Sequence, residues 1–480
     1  MDLQKQNIPA NRLFLACCAA ALLLHVLLSL QGLRAPDPAA FFSRPDTAGY
    51  LAPAKALASG NGFGGFLERA PGFPVLLAAV FRWPWLAELT FGLCGILTAL
   101  PIYLAARKYA GNIPALLAAG LFLFNPTAMA NRPLWLTDTF FGLFAAWQCY
   151  FLLEYLAGKR NRDWLITIAI AAVGTLIRPI NLAWIAPALF IGFTMRGVAF
   201  RTKLFRSAAG LLLFLAILFP WQARNAALGA GYCIDINTGA MYHQNGAMLL
   251  AAVNRSSFEA EKAAILQALE KEFADQTRYP DAASRTDYRM KKFRELILQH
   301  PFIWLRQHFR LHVLLPDAPA LCENMGLTSS GRGTLDVMQK QGVLAAVNHY
   351  FDNKWYIPLL LLPLLLPAAL LIPGVLTEIW QLLRDVRKNY PLLLVLLACA
   401  EYYFFLPGPI TVPRYQIPAL PILCILGGTG LYRLYLAWKG KKAPEKNAPD
   451  LQFQEKALSY VSDNVSNSDH INNLSGGSST

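Results

Sequence analysis

A short polar loop after the first apolar stretch holds an acid and a tyrosine at helical spacing. It contains Asp46 and Tyr50, and Asp46 directly follows Pro45. On a helix that begins near Pro45, residues four apart share a face, so the carboxylate and the phenol would lie together. The helix dipole favours the ionised form of an acid at a helix start, and such a carboxylate can accept a proton from a substrate. The alternative is that Asp46 only caps the helix.

The same loop is rich in glycine. Gly60, Gly62, Gly64 and Gly65 lie close together, and backbone amides of such a stretch can cradle a phosphate. However, no strand precedes these glycines and no Walker lysine follows them, which excludes a nucleotide P-loop. The glycines therefore favour a mobile loop that admits a substrate.

The elements that position this loop are membrane helices. The chain has 480 residues, of which 55% are hydrophobic and 15% charged, and its mean hydropathy is +0.36. Several apolar runs approach the roughly 20 residues that cross a hydrocarbon core. The sequence thus predicts an all-α polytopic membrane protein with about ten transmembrane helices. They are expected at 12–30, 85–106, 112–130, 134–157, 164–177, 181–195, 207–220, 356–380, 390–406 and 416–437.

The distribution of charge predicts the orientation of these spans. If the N-terminus is cytoplasmic, every inner connection is basic, as at Arg107 and Lys108 or at Arg387 and Lys388, which is the positive-inside pattern. We therefore expect a multi-pass protein of the plasma membrane (the inner membrane of a bacterium) with both termini in the cytoplasm. The net charge of +14 does not indicate nucleic acid, because the basic residues mark loops rather than one solvated face.

Four regions follow from this topology. An N-terminal membrane block (1–220) includes the first outer loop (31–74), and an outer, periplasmic segment (221–355) has a mixed, mainly helical pattern. Within that segment, residues 257–272 and 287–315 have helical composition, and the second stretch either lies along lipid headgroups or packs on the rest of the segment. A C-terminal membrane block (356–437) precedes a polar tail (438–480), which we expect to be disordered and cytoplasmic.

Two of the eight cysteines lie in the outer segment, Cys233 and Cys322. An oxidising compartment would permit a disulfide between them, and we expect this bridge. The other cysteines lie in or beside apolar spans, where they act as small hydrophobic residues. No histidine or cysteine spacing is typical of a zinc site.

The order of short motifs along residues 12–437 resembles the GT-C glycosyltransferases, in the branch of protein O-mannosyltransferases and the lipid A aminoarabinose transferase. Each motif is short, and their order and common outer placement carry the likeness. The motifs are Asp46-x-x-x-Tyr50, Arg69-x-Pro71-Gly-Phe-Pro74, Leu136-Thr-Asp138, Arg178-Pro179, Pro220-Trp-Gln-Ala-Arg224-Asn225, Tyr242-His-Gln-Asn245-Gly246 and Pro413-Arg414-Tyr415.

The resemblance implies an inverting transfer of a sugar from a polyprenyl-phosphate carrier to an acceptor hydroxyl of a lipid, glycan or protein. Asp46 would be the base, and guanidinium groups would bind the phosphate because they stay charged and bind oxyanions bidentately. The implied phosphate-binding residues are Arg414, Tyr415, Arg178, Arg69 and Arg224. The implied acceptor-binding or substrate-binding residues are Tyr50, Glu68, Asp138, Tyr242 and Asn245.

Other interpretations stay open at this point. A divalent cation at Glu68 and Asp138 is undecided, and Asp46 departs from branch members that have two adjacent acids in this loop. A lipid or glycan transporter or flippase would also place ionisable residues near membrane interfaces. A polymerase or ligase that joins lipid-linked glycans would have a similar base and phosphate site.

Overall fold

The computed structural model describes residues 9–195, 197–308, 316–328, 337, 341–404, 408 and 412–440. Helices dominate this part of the chain, and no strand occurs in it. The predicted all-α polytopic fold is therefore confirmed. Of the predicted tail, residues 441–480 lie outside the described residues, as do 309–315 of the predicted helical stretch 287–315.

The N-terminal half forms twelve helices. They are α1 (Ala10–Leu33), α2 (Pro38–Phe42), α3 (Thr47–Ala58), α4 (Gly72–Val80), α5 (Pro84–Leu97), α6 (Ala99–Ala110), α7 (Asn112–Leu123), α8 (Pro126–Asn131), α9 (Thr137–Gly158), α10 (Asn161–Ile177), α11 (Ile185–Thr194) and α12 (Phe200–Ala227). A 3₁₀ turn, Pro179–Trp184, joins α10 to α11. The first helix has 24 residues, which is about 36 Å of helix and enough to cross a bilayer.

The remaining helices form the central segment and the C-terminal block. They are α13 (Ala247–Asn254), α14 (Phe258–Glu272), α15 (Ala282–Gln299), α16 (Pro301–His308), α17 (Ala318–Asn324), α18 (Val343–Tyr350), α19 (Tyr356–Arg384), α20 (Val386–Phe404) and α21 (Leu420–Trp438). A 3₁₀ turn, Pro413–Gln416, precedes α21. We call residues 221–355 the central segment from here on.

Each of the ten predicted spans falls on a helix. Among the described residues, six helices are long and apolar enough to cross a membrane by length and composition, and three shorter apolar helices accompany them. Large apolar side chains are exposed along the outside of these helices, including Leu15, Phe205, Leu212 and Leu362. Such a surface requires lipid as its solvent, so the protein is a multi-pass membrane protein. The count of ten spans stays a prediction.

Two helices of the bundle cross at glycines. A Cβ on Gly430 of α21 would lie 1.9 Å from the carbonyl oxygen of Gly374 in α19. Near this crossing, Arg433 Nε donates to Glu378 Oε2 at 2.7 Å. The absence of side chains at the crossing lets the two backbones touch, which brings the residues before α21 against the rest of the bundle.

The central segment packs mainly on itself. Ser257 Oγ caps α14 by accepting from Ala260 N at 3.2 Å, which confirms the predicted helix at 257–272. The stretch predicted as one helix at 287–315 begins earlier and breaks at Pro301, because proline disfavours helical backbone at the preceding residue. Phe293 is buried and its ring lies 5.3 Å from that of Trp304. This part of the apolar stripe therefore packs within the segment.

The disulfide predicted between Cys233 and Cys322 is not formed, because both cysteines are free. Cys233 Sγ donates to Ala230 O at 3.2 Å, just beyond the end of α12. Cys322 is buried in a separate cluster with Ile357 and Leu361. The two thiols belong to different packing units, and sequence position alone gave no information on the distance between them.

Candidate functional site

Asp46 stands at the start of α3 but does not cap it. Its side chain makes no capping hydrogen bond, and 46% of the side chain is exposed. The helix start is instead fixed by Thr47, whose Oγ1 accepts from Arg44 N at 2.9 Å and donates to Trp135 O at 3.0 Å. The carboxylate of Asp46 is therefore available for contacts outside its own helix, contrary to the capping alternative.

Two arginines bracket this carboxylate. Arg69 Nη2 donates to Asp46 Oδ1 at 3.3 Å, and Arg414 Nη2 donates to Asp46 Oδ2 at 3.1 Å. Arg69 precedes α4 in the first loop, whereas Arg414 lies in the 3₁₀ turn before α21. Residues from opposite ends of the chain thus meet on one carboxylate.

A second buried carboxylate lies beside the first. Asp138 occupies the first turn of α9 and is buried, and Arg178 Nη1 donates to its Oδ1. Arg414 Nε lies 4.0 Å from Asp138 Oδ2, so Arg414 stands between the two acids. We call Asp46, Asp138, Arg69, Arg178 and Arg414 the arginine–aspartate cluster.

Two tyrosines pack on the guanidinium groups of this cluster. The Arg178 and Arg414 guanidinium carbons lie 5.0 and 5.7 Å from the centroid of the Tyr415 ring. The Arg69 guanidinium lies 4.7 Å from the centroid of the Tyr50 ring. Aromatic faces attract cations at these distances, so the rings hold three like charges close together. Tyr50 and Asp46 do share a face of α3, because Arg69 contacts both.

Asp235 is a further acid at this site that the sequence motifs did not single out. It is buried, and it accepts hydrogen bonds from the backbone amides of Asn237 and Thr238 and from the Thr238 hydroxyl. Burial raises the pKa of Asp235 to about 6, and the nearby Arg69 opposes this shift. Ile236 N donates to Leu67 O at 3.0 Å, which brings Asp235 to the first loop. The only signal in the sequence is an acid followed by the small polar pair Asn237 and Thr238, a pattern typical of a local turn.

Arg224 does not join the cluster but holds the glycine-rich loop. Its Nη2 donates to Gly64 O at 2.7 Å and its Nη1 to Phe66 O at 3.1 Å. Its guanidinium also stacks on Trp221, at 4.5 Å from the ring centroid. In this arrangement Arg224 ties the loop to the end of α12.

The other predicted site residues lie apart from the cluster. Glu68 is exposed on the loop surface. Tyr242 packs on the central segment beside Leu269. Asn245 is buried and touches the loop that leads to Arg414, since a Cβ on Gly408 would lie 2.4 Å from the Asn245 amide nitrogen. Glu68 and Asp138 do not converge on a cation, and no group of three or more histidine, cysteine or acidic side chains that could hold a metal occurs in the described part of the chain.

The fold and the site together define an all-α, multi-pass membrane protein with a cluster of arginines and aspartates between its first loop and its last helix. Residues 75–223 match the model of the family described as dolichyl-phosphate-mannose-protein mannosyltransferase. This match confirms the predicted resemblance to the GT-C glycosyltransferases over that part of the chain. Curated protein sequences give no significant match.

Solved structures of GT-C proteins are similar in outline. One is ArnT from Cupriavidus metallidurans, bound to undecaprenyl phosphate, with 16% identity and a TM-score of 0.47 over 89% of this chain and 61% of that chain. Another is the Archaeoglobus fulgidus oligosaccharyltransferase in the apo form, with 13% identity and a TM-score of 0.47 over 89% and 52%. A third is the AglB protein of the same organism with an inhibitory peptide and a dolichol-phosphate, with 14% identity, a TM-score of 0.45 and coverages of 89% and 51%. The chain thus spans between about half and six tenths of the length of these proteins.

Proposed function

We propose that this protein is an inverting glycosyltransferase that moves a sugar from a polyprenyl-phosphate carrier to an acceptor hydroxyl on the non-cytoplasmic face of the plasma membrane. The observation that carries the proposal is the position of the Asp46 carboxylate. It is half exposed and held between Arg69 and Arg414 at 3.3 and 3.1 Å. A base and cationic phosphate ligands therefore lie within one hydrogen bond of each other.

Asp46 acts as the base of the reaction. The acceptor oxygen attacks the anomeric carbon of the sugar while its proton passes to Asp46, and the bond from the anomeric carbon to the phosphate oxygen breaks. The electron pair of that bond leaves with the phosphate, which inverts the anomeric configuration in one displacement. Asp46 has the exposure that this role requires, whereas Asp138 is buried against Arg178.

The three guanidinium groups take up the charge that develops on the phosphate. The donor is a phosphodiester with one negative charge, and the released monoester carries about −1.5 to −2 near neutral pH. Preorganised cations aimed at this developing charge stabilise the transition state more than the ground state. Arg69 Nε and Arg414 Nε are buried with no hydrogen-bond partner among the described residues, so these donors are available to phosphate oxygens.

The bundle offers a place for the lipid carrier beside the cluster. A cavity of about 430 Å³ is lined by apolar residues that include Phe141, Trp184 and Tyr402. The Phe141 and Tyr402 rings stack at 6.2 Å. Isoprene units in this cavity would position the attached phosphate at Arg178, because Tyr402 lies close to that arginine.

The test is release of polyprenyl phosphate from a panel of lipid-linked sugars by purified protein in detergent, with an acceptor extract present. Wild type should release carrier in a sugar-dependent manner, and Asp46→Asn should lower the rate at least about 100-fold, because a general base contributes that much or more. Asp37→Asn is the matched control. Asp37 lies in the same loop and caps α2 through Ala40 N, and asparagine caps equally well.

Each other outcome leads to a different conclusion. No release from any donor, by protein shown to be folded, would overturn the transferase and favour the transporter or flippase. Carrier release with transfer of whole glycans to a second lipid-linked saccharide would identify a polymerase or ligase instead.

A further inference from the structure

Glu88 is a buried acid in the membrane bundle that the proposed reaction does not use. It lies in α5, and only 2% of it is exposed. Ser29 Oγ of α1 donates to Glu88 Oε2 at 2.9 Å, and Trp135 Nε1 donates to Glu88 Oε1 at 3.3 Å. A buried ionisable side chain inside a membrane bundle is costly and retained mainly where its partners need it.

Trp135 connects this acid to the site. Its ring is fully buried, and its main chain bonds to the first loop on both sides of the peptide group. Trp135 N donates to Phe42 O at 3.1 Å, and Trp135 O accepts from Thr47 Oγ1 at 3.0 Å. Thr47 directly follows Asp46, and Trp135 stands three residues before Asp138.

We infer that Glu88 is a positioning residue that fixes the placement of Asp46 relative to Asp138 through Trp135. The indole hydrogen bond to Glu88 sets the position of the Trp135 main chain. That main chain in turn sets the start of α3 on one side and the approach to α9 on the other. Glu88 touches neither substrate nor reacting atoms, and the inference rests on the proposed transferase function.

A shift of the base alone has a distinct kinetic signature. A displacement of about 1 Å from the productive geometry can cost about 100-fold in rate. The guanidinium groups that would bind the donor come from other elements, so donor binding should change little. A loss of general packing would instead lower stability and affect rate and binding together.

The experiment compares Trp135→Phe with Trp164→Phe in full-length protein. Trp164 is a second fully buried tryptophan, and its Nε1 donates to Arg206 O at 3.1 Å, so the control deletes the same donor at a different place. Trp135→Phe should lower kcat by about 10- to 100-fold, with the KM for the lipid-linked donor within about twofold of wild type. Trp164→Phe should leave both constants within about twofold.

Variants at Glu88 test the origin of the effect. Glu88→Gln keeps an oxygen for the indole and should retain kcat within about threefold, whereas Glu88→Leu should reproduce Trp135→Phe. Equal losses in Trp135→Phe and Trp164→Phe, or a wild-type kcat in Trp135→Phe, would overturn the inference.

A readout that needs no activity separates this inference from the proposed function. The amides of Thr47 and Gly49 donate to Arg44 O and Asp46 O at 2.8 and 3.2 Å. Their hydrogen exchange should accelerate in Trp135→Phe and stay at the wild-type rate in Trp164→Phe. If wild type transfers no sugar, the proposed function fails while faster exchange still supports the positioning role. Unchanged exchange in Trp135→Phe contradicts that role even if wild type is active.

Discussion

Arg414 and Asp46 lie 368 residues apart in the chain, yet Arg414 Nη2 donates to Asp46 Oδ2 at 3.1 Å. The same guanidinium reaches Asp138 through Nε at 4.0 Å. One side chain from the segment before the last helix therefore links the two acids, which come from the first loop and from α9. This fork is the geometric centre of the candidate site.

Replacement of Arg414 by lysine should weaken binding of the released carrier. Lysine keeps the charge but is a point donor, so it cannot bridge both acids and a phosphate. We expect Arg414→Lys to raise the Kd for polyprenyl phosphate about tenfold, which is about 1.4 kcal/mol. Arg433→Lys is the matched control, because Arg433 also pairs with a carboxylate, Glu378, at 2.7 Å. Similar losses in both variants would contradict the assignment of Arg414.

Replacement of Arg224 by alanine should loosen the glycine-rich loop without changing carrier affinity. Arg224 bonds to Gly64 O and Phe66 O, so its loss frees two carbonyls and exposes amides 60–67 to faster hydrogen exchange. Arg82→Ala removes another arginine bonded to a carbonyl, Ala58 O, at 3.4 Å, and should leave these amides unchanged. A weaker Kd for polyprenyl phosphate in Arg224→Ala would return Arg224 to the phosphate-binding set that the sequence motifs implied.

Asp235 should make the stability of the protein depend on pH. Burial raises the pKa of Asp235 from 3.8 to about 6, so between these values the folded state holds a proton that the unfolded state has lost. Stability therefore falls as pH rises through this window. The Tm of Asp235→Asn, measured in detergent, should gain on wild type as pH is raised from about 4 to about 7.

Asp281 provides the control of opposite sign. Hydrogen bonds from the Ser284 amide and hydroxyl lower the pKa of this exposed carboxyl. Its stabilising contribution is complete above the ordinary pKa, so the Tm difference between Asp281→Asn and wild type should stay constant over the same interval. A constant difference for Asp235→Asn as well would show that Asp235 is charged throughout.

The crossing of α19 and α21 should not tolerate a methyl group. A Cβ on Gly430 would meet the Gly374 carbonyl oxygen at 1.9 Å, so the two backbones must separate. Overpacking of this kind costs about 1–3 kcal/mol, and Gly430→Ala should lower the Tm in detergent. Gly120 is a helical glycine in α7 with nothing within 4 Å of a Cβ, and Gly120→Ala should be neutral or stabilising. A wild-type Tm for Gly430→Ala would mean that the helices do not touch there.

Local patterns in the sequence were sufficient for the helices and for part of the site. Apolar runs reveal spans because each helix satisfies its own backbone in lipid. The spacing of Asp46 and Tyr50 revealed their common face because that relationship lies within one helical turn. Ser257 likewise marked a helix start through a contact to the next turn.

Relationships between distant parts of the chain were beyond the same patterns. Asp235 reaches the site through the hydrogen bond from Ile236 to Leu67, and Trp135 bonds to an acid 47 positions away. Neither contact has a local signature. The disulfide failed for the same reason, since Cys233 and Cys322 pack in different units.

The contact of Arg414 with Asp46 also constrains how the protein is made. Membrane helices enter the bilayer as the chain is synthesised, and domains generally fold from the N-terminus onward. The first loop and α9 would therefore be in place long before Arg414 is translated, with the Asp46 carboxylate lacking one of its two cations until α21 inserts. Chains stalled before residue 412 would fold much of the bundle and remain inactive, which keeps a half-made protein in the membrane from consuming carrier.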